Sequence, residues 1–165
     1  MIKKFGLLKQ EQTQTAQRAL SHPGNLYAAL MDRQALWDPK TIEKVLATFP
    51  KDYIDEADLF LILAECTANA VLHGQAEALG FHARERHGVL LLSFFQIPPM
   101  MGRIALVLSL ARSGNIKECT EELPGGLGFP ILLKLVYRIT ISTDYACLRL
   151  WLRTGKRPAE QPSCA

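Results

Sequence analysis

Nine residues from Gly88 to Gln96, GVLLLSFFQ, form a nearly unbroken apolar run of strand length. A run of this kind is expected of a central strand covered on both faces. It puts a sheet at the middle of the fold and asks the rest of the chain to cover it.

Covering elements can be read on either side. From Asp55 to Gly74 the apolar positions Leu59, Ile62, Leu63, Cys66, Ala70 and Val71 recur at three and four residues, the signature of a helix with one buried face. Asp55 and Glu56 stand at its start, where carboxylates suit the positive end of the helix dipole. Upstream, Asp38-Pro39 predicts another helix start, with Pro39 in the first helical position, and Phe49-Pro50 predicts its stop after Thr48. Residues 1–24 are polar and Gln-rich, and a short helix is expected from Leu26 to Leu36. No first strand is visible in residues 1–50, which read as a helical N-terminal extension packed on the domain. Residues 75–87 read as a polar connection.

Downstream, Met101 to Arg112 is an apolar, helix-like segment, and a charged stretch leads into Pro124-Gly125-Gly126-Leu127-Gly128. Phe129 to Leu135 predicts a helix with Pro130 in its first turn. Tyr137–Ser142 and Ala146–Arg153 both alternate with period two around Thr143-Asp144-Tyr145, which predicts a β-hairpin. The tail 154–165 is rich in Pro and polar residues and is expected to be disordered. The expected architecture is α+β, a two-layer α/β sandwich with a mixed β-sheet and helices on one face, over a domain spanning 51–153.

Composition narrows the function classes. The chain has 165 residues, 48% hydrophobic and 21% charged, enough for one globular domain. Its net charge of +3 is spread along the chain rather than gathered in a stripe, so direct nucleic-acid binding is not expected. No segment approaches the ~20 apolar residues of a membrane helix, and the first residues turn polar at Lys9-Gln10-Glu11, unlike a signal peptide. A cytoplasmic location is the expectation. Cys66, Cys119, Cys147 and Cys164 show no CxxC pairing and read as reduced thiols. His22, His73, His82 and His87 lack a metal-ligand spacing.

Two motifs carry chemistry. In Glu65-Cys66-Thr67-Ala68-Asn69-Ala70-Val71-Leu72-His73-Gly74, the residues Glu65, Asn69 and His73 lie four apart on one helix stripe. A carboxylate and an amide there could orient a hydroxyl and coordinate Mg²⁺ shared with phosphates. The ordinary alternative is the polar stripe of an amphipathic helix. In Gly125-Gly126-Leu127-Gly128, backbone N–H groups freed of side chains lead into a helix N-terminus, a setting that suits phosphate. The ordinary alternative here is a turn.

In this order, with a strand between them and a hairpin after them, the motifs resemble the histidine-kinase-like ATPases. Within that superfamily the chain is most similar to the anti-sigma-factor serine/threonine kinases, over residues 50–153. The resemblance implies roles for individual residues. Glu65 would be the general base for phosphoryl transfer, and Asn69 would hold the Mg²⁺ that bridges the ATP phosphates. His73 would lie near those phosphates, and Gly125, Gly126, Leu127 and Gly128 would form the lid over the nucleotide. The partner would be a regulatory protein, an anti-sigma antagonist or a sigma factor, in transcription regulation, and a homodimer fits the class.

The sequence departs from that family where a DxGxG box is due. The stretch Phe94-Phe95-Gln96-Ile97-Pro98-Pro99-Met100-Met101-Gly102 has no Asp and no glycine pair. Gln96 is the residue left to offer a carbonyl to adenine. Two functions follow: an ATP-binding regulatory kinase, or a non-catalytic protein-binding module on the same fold that has lost its nucleotide.

Overall fold

The computed structural model describes residues 13–99, 128–144 and 146–154. Residues 13–20 form helix α1. There follow β1 (Tyr27–Asp32), α2 (Arg33–Trp37), α3 (Lys40–Thr48), α4 (Glu56–Leu72), β2 (Ala78–Arg86), β3 (Val89–Ile97), α5 (Gly128–Leu135), β4 (Arg138–Ile141) and β5 (Cys147–Arg153). The five strands make one sheet in the order β1-β2-β3-β5-β4.

The long apolar run is the middle strand, as its composition requires: β3 sits between β2 and β5, and Leu90, Leu92 and Phe94 are buried. The predicted terminal hairpin is β4 and β5, pairing Ile139 with Leu150 and Ile141 with Leu148. Just before helix α3 the Asp38 carboxylate accepts from the Lys40 amide at 3.0 Å, and the helix stops at Phe49.

Four expectations are corrected. Every neighbouring pair of strands is antiparallel, so the sheet is not mixed. Residues 27–32, expected within a helix, are edge strand β1 of the same sheet, so the stretch 1–50 is not wholly helical. Residues 78–86, expected as a connection, are β2, which joins β3 through His87 and Gly88. Both turn residues have positive φ (53° and 75°), the geometry of a hairpin turn whose twist matches its strands. Finally, the helices do not all share one face.

On the front face, α2, α3, α4 and α5 cover the core. Leu79, Phe81 and Ala83 of β2 meet Ile62, Leu63 and Cys66 of α4 and Leu132 of α5 in one cluster. Rings run through it, with Phe81 stacked on Phe94 at 5.0 Å and tilted against Tyr27 at 5.7 Å. On the back face the alternate residues Gly80, His82 and Arg84 meet α1. A Cβ on Gly80 would lie 3.4 Å from the Leu20 side chain, and the Arg84 guanidinium donates to the Ala19 carbonyl and to the Asn25 side chain. The segment 155–165 and the helix-like stretch 101–112 lie outside the described residues.

Candidate functional site

Helix α4 is nearly all apolar from Leu59 to Leu72; its polar side chains there are Glu65, Thr67 and Asn69, with the thiol of Cys66. Asp55 caps its N-terminus, its carboxylate accepting from the Ala57 amide at 2.8 Å, and Glu56 and Asp58 fill the first turn. This acidic start is the favourable sense for the helix dipole. Leu59, Ile62, Leu63, Cys66 and Ala70 are buried, and Glu65 and Asn69 sit half-buried on the flank beside them. Burial, and secondarily the Glu65 charge, push the Cys66 thiol well above its ordinary pKa, which keeps it a neutral core group beside that carboxylate.

The C-terminal end of α4 is held from several directions. The Asn69 carbonyl accepts from both the His73 and Gly74 amides, at 3.1 and 2.9 Å. Gln75 takes the left-handed conformation that releases the chain from the helix, with φ of 52°. His73 is exposed. Gln96 comes in from β3 on the front face, 1% exposed, and its amide Nε2 donates to the Gly74 carbonyl at 2.7 Å. A Cβ on Gly74 would fall 2.5 Å from that same amide group and 2.8 Å from the Ala70 carbonyl. Glycine is therefore set here by close approach rather than by a left-handed backbone.

The structure places Glu65 and Asn69 on one flank of α4, puts His73 and Gly74 directly after the helix, and brings Gln96 of β3 against Gly74 alone. Gln96 reaches inward, and its amide nitrogen is committed to the α4 end. The last of the motif glycines, Gly128, is the first residue of α5, and α5 packs against α4. Gly125, Gly126 and Leu127 lie outside the described residues. Among the described residues no group of three or more His, Cys, Asp and Glu side chains could hold a metal ion.

Several polar groups went unread in the sequence. The Thr67 hydroxyl on α4 is buried without a hydrogen-bond partner. On the back face, His82 Nδ1 and the Ser93 hydroxyl, cross-strand neighbours, are also buried without partners. Burial foremost, then the charges of Arg84, Arg149 and His22, lower the His82 pKa to about 4, so its ring is neutral and stacks on Phe95 at 5.4 Å. The available signal was the period-two pattern Leu79, Phe81, Ala83, which places His82 on the opposite face of a strand. No helix among the described residues is long and apolar enough to cross a membrane.

No protein-family model matches this chain, and no curated protein matches it either.

Proposed function

We propose that this chain is an ATP-binding regulatory protein of the histidine-kinase-like ATPase kind, resembling an anti-sigma-factor serine/threonine kinase, that phosphorylates or sequesters a partner regulatory protein. The observation that carries the reading is the placement of Glu65 and Asn69. They are two of the few polar residues in an otherwise apolar stretch of helix, four apart, half-buried on one flank. The helix whose first residue is Gly128 packs against the same α4.

The donor chemistry fits Mg²⁺ and phosphate. Asn69 offers a hard amide oxygen, and Mg²⁺ takes few protein ligands while keeping phosphates and waters for the rest. When bound, the metal neutralises phosphate charge. The chain's own parts in such a site are distinct. The Glu65 carboxylate accepts the proton of the incoming serine hydroxyl, Asn69 positions the cation, and the amides at the start of α5 face phosphate oxygens. The partner is a regulatory protein such as an anti-sigma antagonist or a sigma factor, in a cytoplasmic setting.

The base-binding end fits less well, and this favours the second reading of a non-catalytic binding module. Gln96 is the residue the resemblance leaves to read adenine, yet its amide nitrogen is tied to the Gly74 carbonyl in a 1%-exposed position. Turning it toward a ligand breaks that bond at a cost of about 1–3 kcal/mol.

Calorimetric titration with Mg-ATP separates the two readings, using Asn69→Ala as the control. Heat that saturates in the wild type and vanishes in the control supports nucleotide binding. No heat and no thermal shift at millimolar nucleotide would leave only the binding module.

A further inference from the structure

All five arginines on the strands face the same way. The pairing register sets Arg84, Leu91, Trp151 and Arg138 in one row across β2, β3, β5 and β4. Arg86, Val89 and Arg153 form the row on one side of it, and His82, Ser93, Arg149 and Thr140 the row on the other. Residues at these alternate positions share a face of the sheet, here the back face, turned away from α4. The two carboxylates on the strands do not answer them. Glu85 has the opposite parity and accepts from the Gly88 amide, and Asp32 sits at the far end of β1, where it caps α2. Charge that is scattered along the chain is thus gathered by the register into one patch around Trp151.

Arg84 is committed to Ala19 and Asn25. Arg86, Arg138, Arg149 and Arg153 form no ion pair among the described residues, and Arg86, Arg138 and Arg153 are exposed. Asp144, in the turn between β4 and β5, feels the Arg149 charge, but its carboxylate is held by the Ser142 hydroxyl. Two of the arginines are set on rings. The Arg138 guanidinium lies 5.5 Å from the centre of the Trp151 ring, and that of Arg153 lies 5.9 Å from the centre of Tyr137. A guanidinium held flat on a ring keeps its in-plane N–H fork and has less freedom to lose on binding. The field of the patch is felt at His82, where the charges of Arg84 and Arg149 add to burial in opposing protonation.

We infer that this back-face arginine patch docks an acidic segment of a partner protein, an extended stretch with Asp or Glu at alternate positions. Charge complementarity is the first argument, and the planar fork that pairs bidentately with a carboxylate is the second. Spacing is the third. Arg149 and Arg153 are four residues apart on one strand, about 13 Å, and Arg86 and Arg153 stand two strands apart, about 10 Å. An extended acidic segment offers a carboxylate about every 7 Å, so several arginines are met at once. Val89, Leu91 and Trp151, half-buried between them, give an apolar floor for its side-chain stems. A single-stranded nucleic acid fits less well, because it asks for open ring faces to stack its bases, and both rings here already carry a guanidinium. The patch lies across the sheet from Glu65 and Asn69, and the inference does not rest on nucleotide binding.

Fluorescence anisotropy at low salt tests it, with the full-length protein titrated into a labelled decapeptide of alternating Glu and Ser. The same peptide with Gln for Glu, and an oligothymidylate of equal length, are run beside it. The acidic peptide should bind saturably, the Gln peptide should not, and the oligothymidylate should bind more weakly. Arg138→Ala with Arg153→Ala should weaken peptide binding at least about tenfold. Lys44→Ala with Lys51→Ala removes the same charge from exposed positions elsewhere and should change little. Arg138→Lys with Arg153→Lys keeps the charge without the fork and should fall most of the way toward the alanine pair. Urea midpoints close to wild type show that each variant is folded. Tighter binding of the oligothymidylate would make the face a nucleic-acid surface and overturn the inference, as would no binding of the acidic peptide. Equal losses from the two alanine pairs, or full binding by the lysine pair, would reduce the effect to net charge and overturn it too.

Discussion

Replacing Gly74 by alanine tests how the end of α4 is locked to the sheet. The added methyl would sit 2.5 Å from the Gln96 amide and 2.8 Å from the Ala70 carbonyl, closer than any ordinary carbon contact. Gln96 is 1% exposed and has no open space to swing into, so it must shift with β3 or give up its 2.7 Å bond to the Gly74 carbonyl. Overpacking of a tight core costs about 1–3 kcal/mol, and a buried hydrogen bond left half-made costs about 1–3 kcal/mol more. Partial relaxation makes the two overlap, and Gly74→Ala should lose roughly 2–4 kcal/mol. With a urea m-value of about 2 kcal/mol/M, the midpoint falls by roughly 1–2 M at unchanged slope. The double variant Gly74→Ala with Gln96→Ala identifies the cause. Gln96→Ala alone should be destabilising, and adding Gly74→Ala should cost less than it does in the wild type, since only the approach to the Ala70 carbonyl then remains. Additive losses in that cycle, or a Gly74→Ala midpoint within 0.2 M (~) of wild type, would refute the close-approach account.

Two further outcomes follow from buried titratable groups. His82 is neutral in the fold with a pKa of about 4, below the 6.5 of an open imidazole, because burial and the nearby Arg84, Arg149 and His22 oppose its charge. The unfolded chain binds the extra proton first, so this contribution is complete well above pH 6.5 and is lost as pH falls toward 4, by roughly 2 kcal/mol at pH 4.5. Urea midpoints at pH 7 and 4.5 should converge far less in wild type than in His82→Phe; equal pH slopes would contradict the assignment. The Cys66 and Cys147 thiols, both raised by burial, with Cys147 at about 11, should resist iodoacetamide at neutral pH and alkylate only on unfolding, read by peptide mass. Modification of either in the native protein would show that its site opens.

What the sequence made visible, and what it hid, divides along a physical line. The helix from Asp55, the central run of β3 and the β4–β5 hairpin are written in local periodicity, and the structure has all three. So is the relation of Glu65 to Asn69, which needs only the helix pitch. β1 was hidden because Tyr27-Ala28-Ala29-Leu30-Met31 is rich in helix formers. Its ladder to Phe81, Gly80 and Leu79 overrides that local preference. β2 was hidden because its back face carries His82 and Arg84, which look like loop residues until α1 and Asn25 cover and bind them. The inward commitment of Gln96 could not be read either, since it depends on Gly74 arriving from another element.

The antiparallel sheet also dictates an order of assembly. The two hairpins close over short loops, β2 to β3 through His87 and Gly88 and β4 to β5 through residues 142–146. Local closures of that kind form within microseconds, before long loops are brought together. β1 must wait for its partner β2 across α2, α3 and α4, and β5 must find β3 across the span that holds α5. Until those distant ladders zip, the outer strand of the β2–β3 hairpin offers unpaired backbone along Phe81 and Ala83, the kind of template that recruits a neighbouring chain. In the finished fold β1 covers that ladder, so the strand least visible in the sequence is the one that removes the hazard.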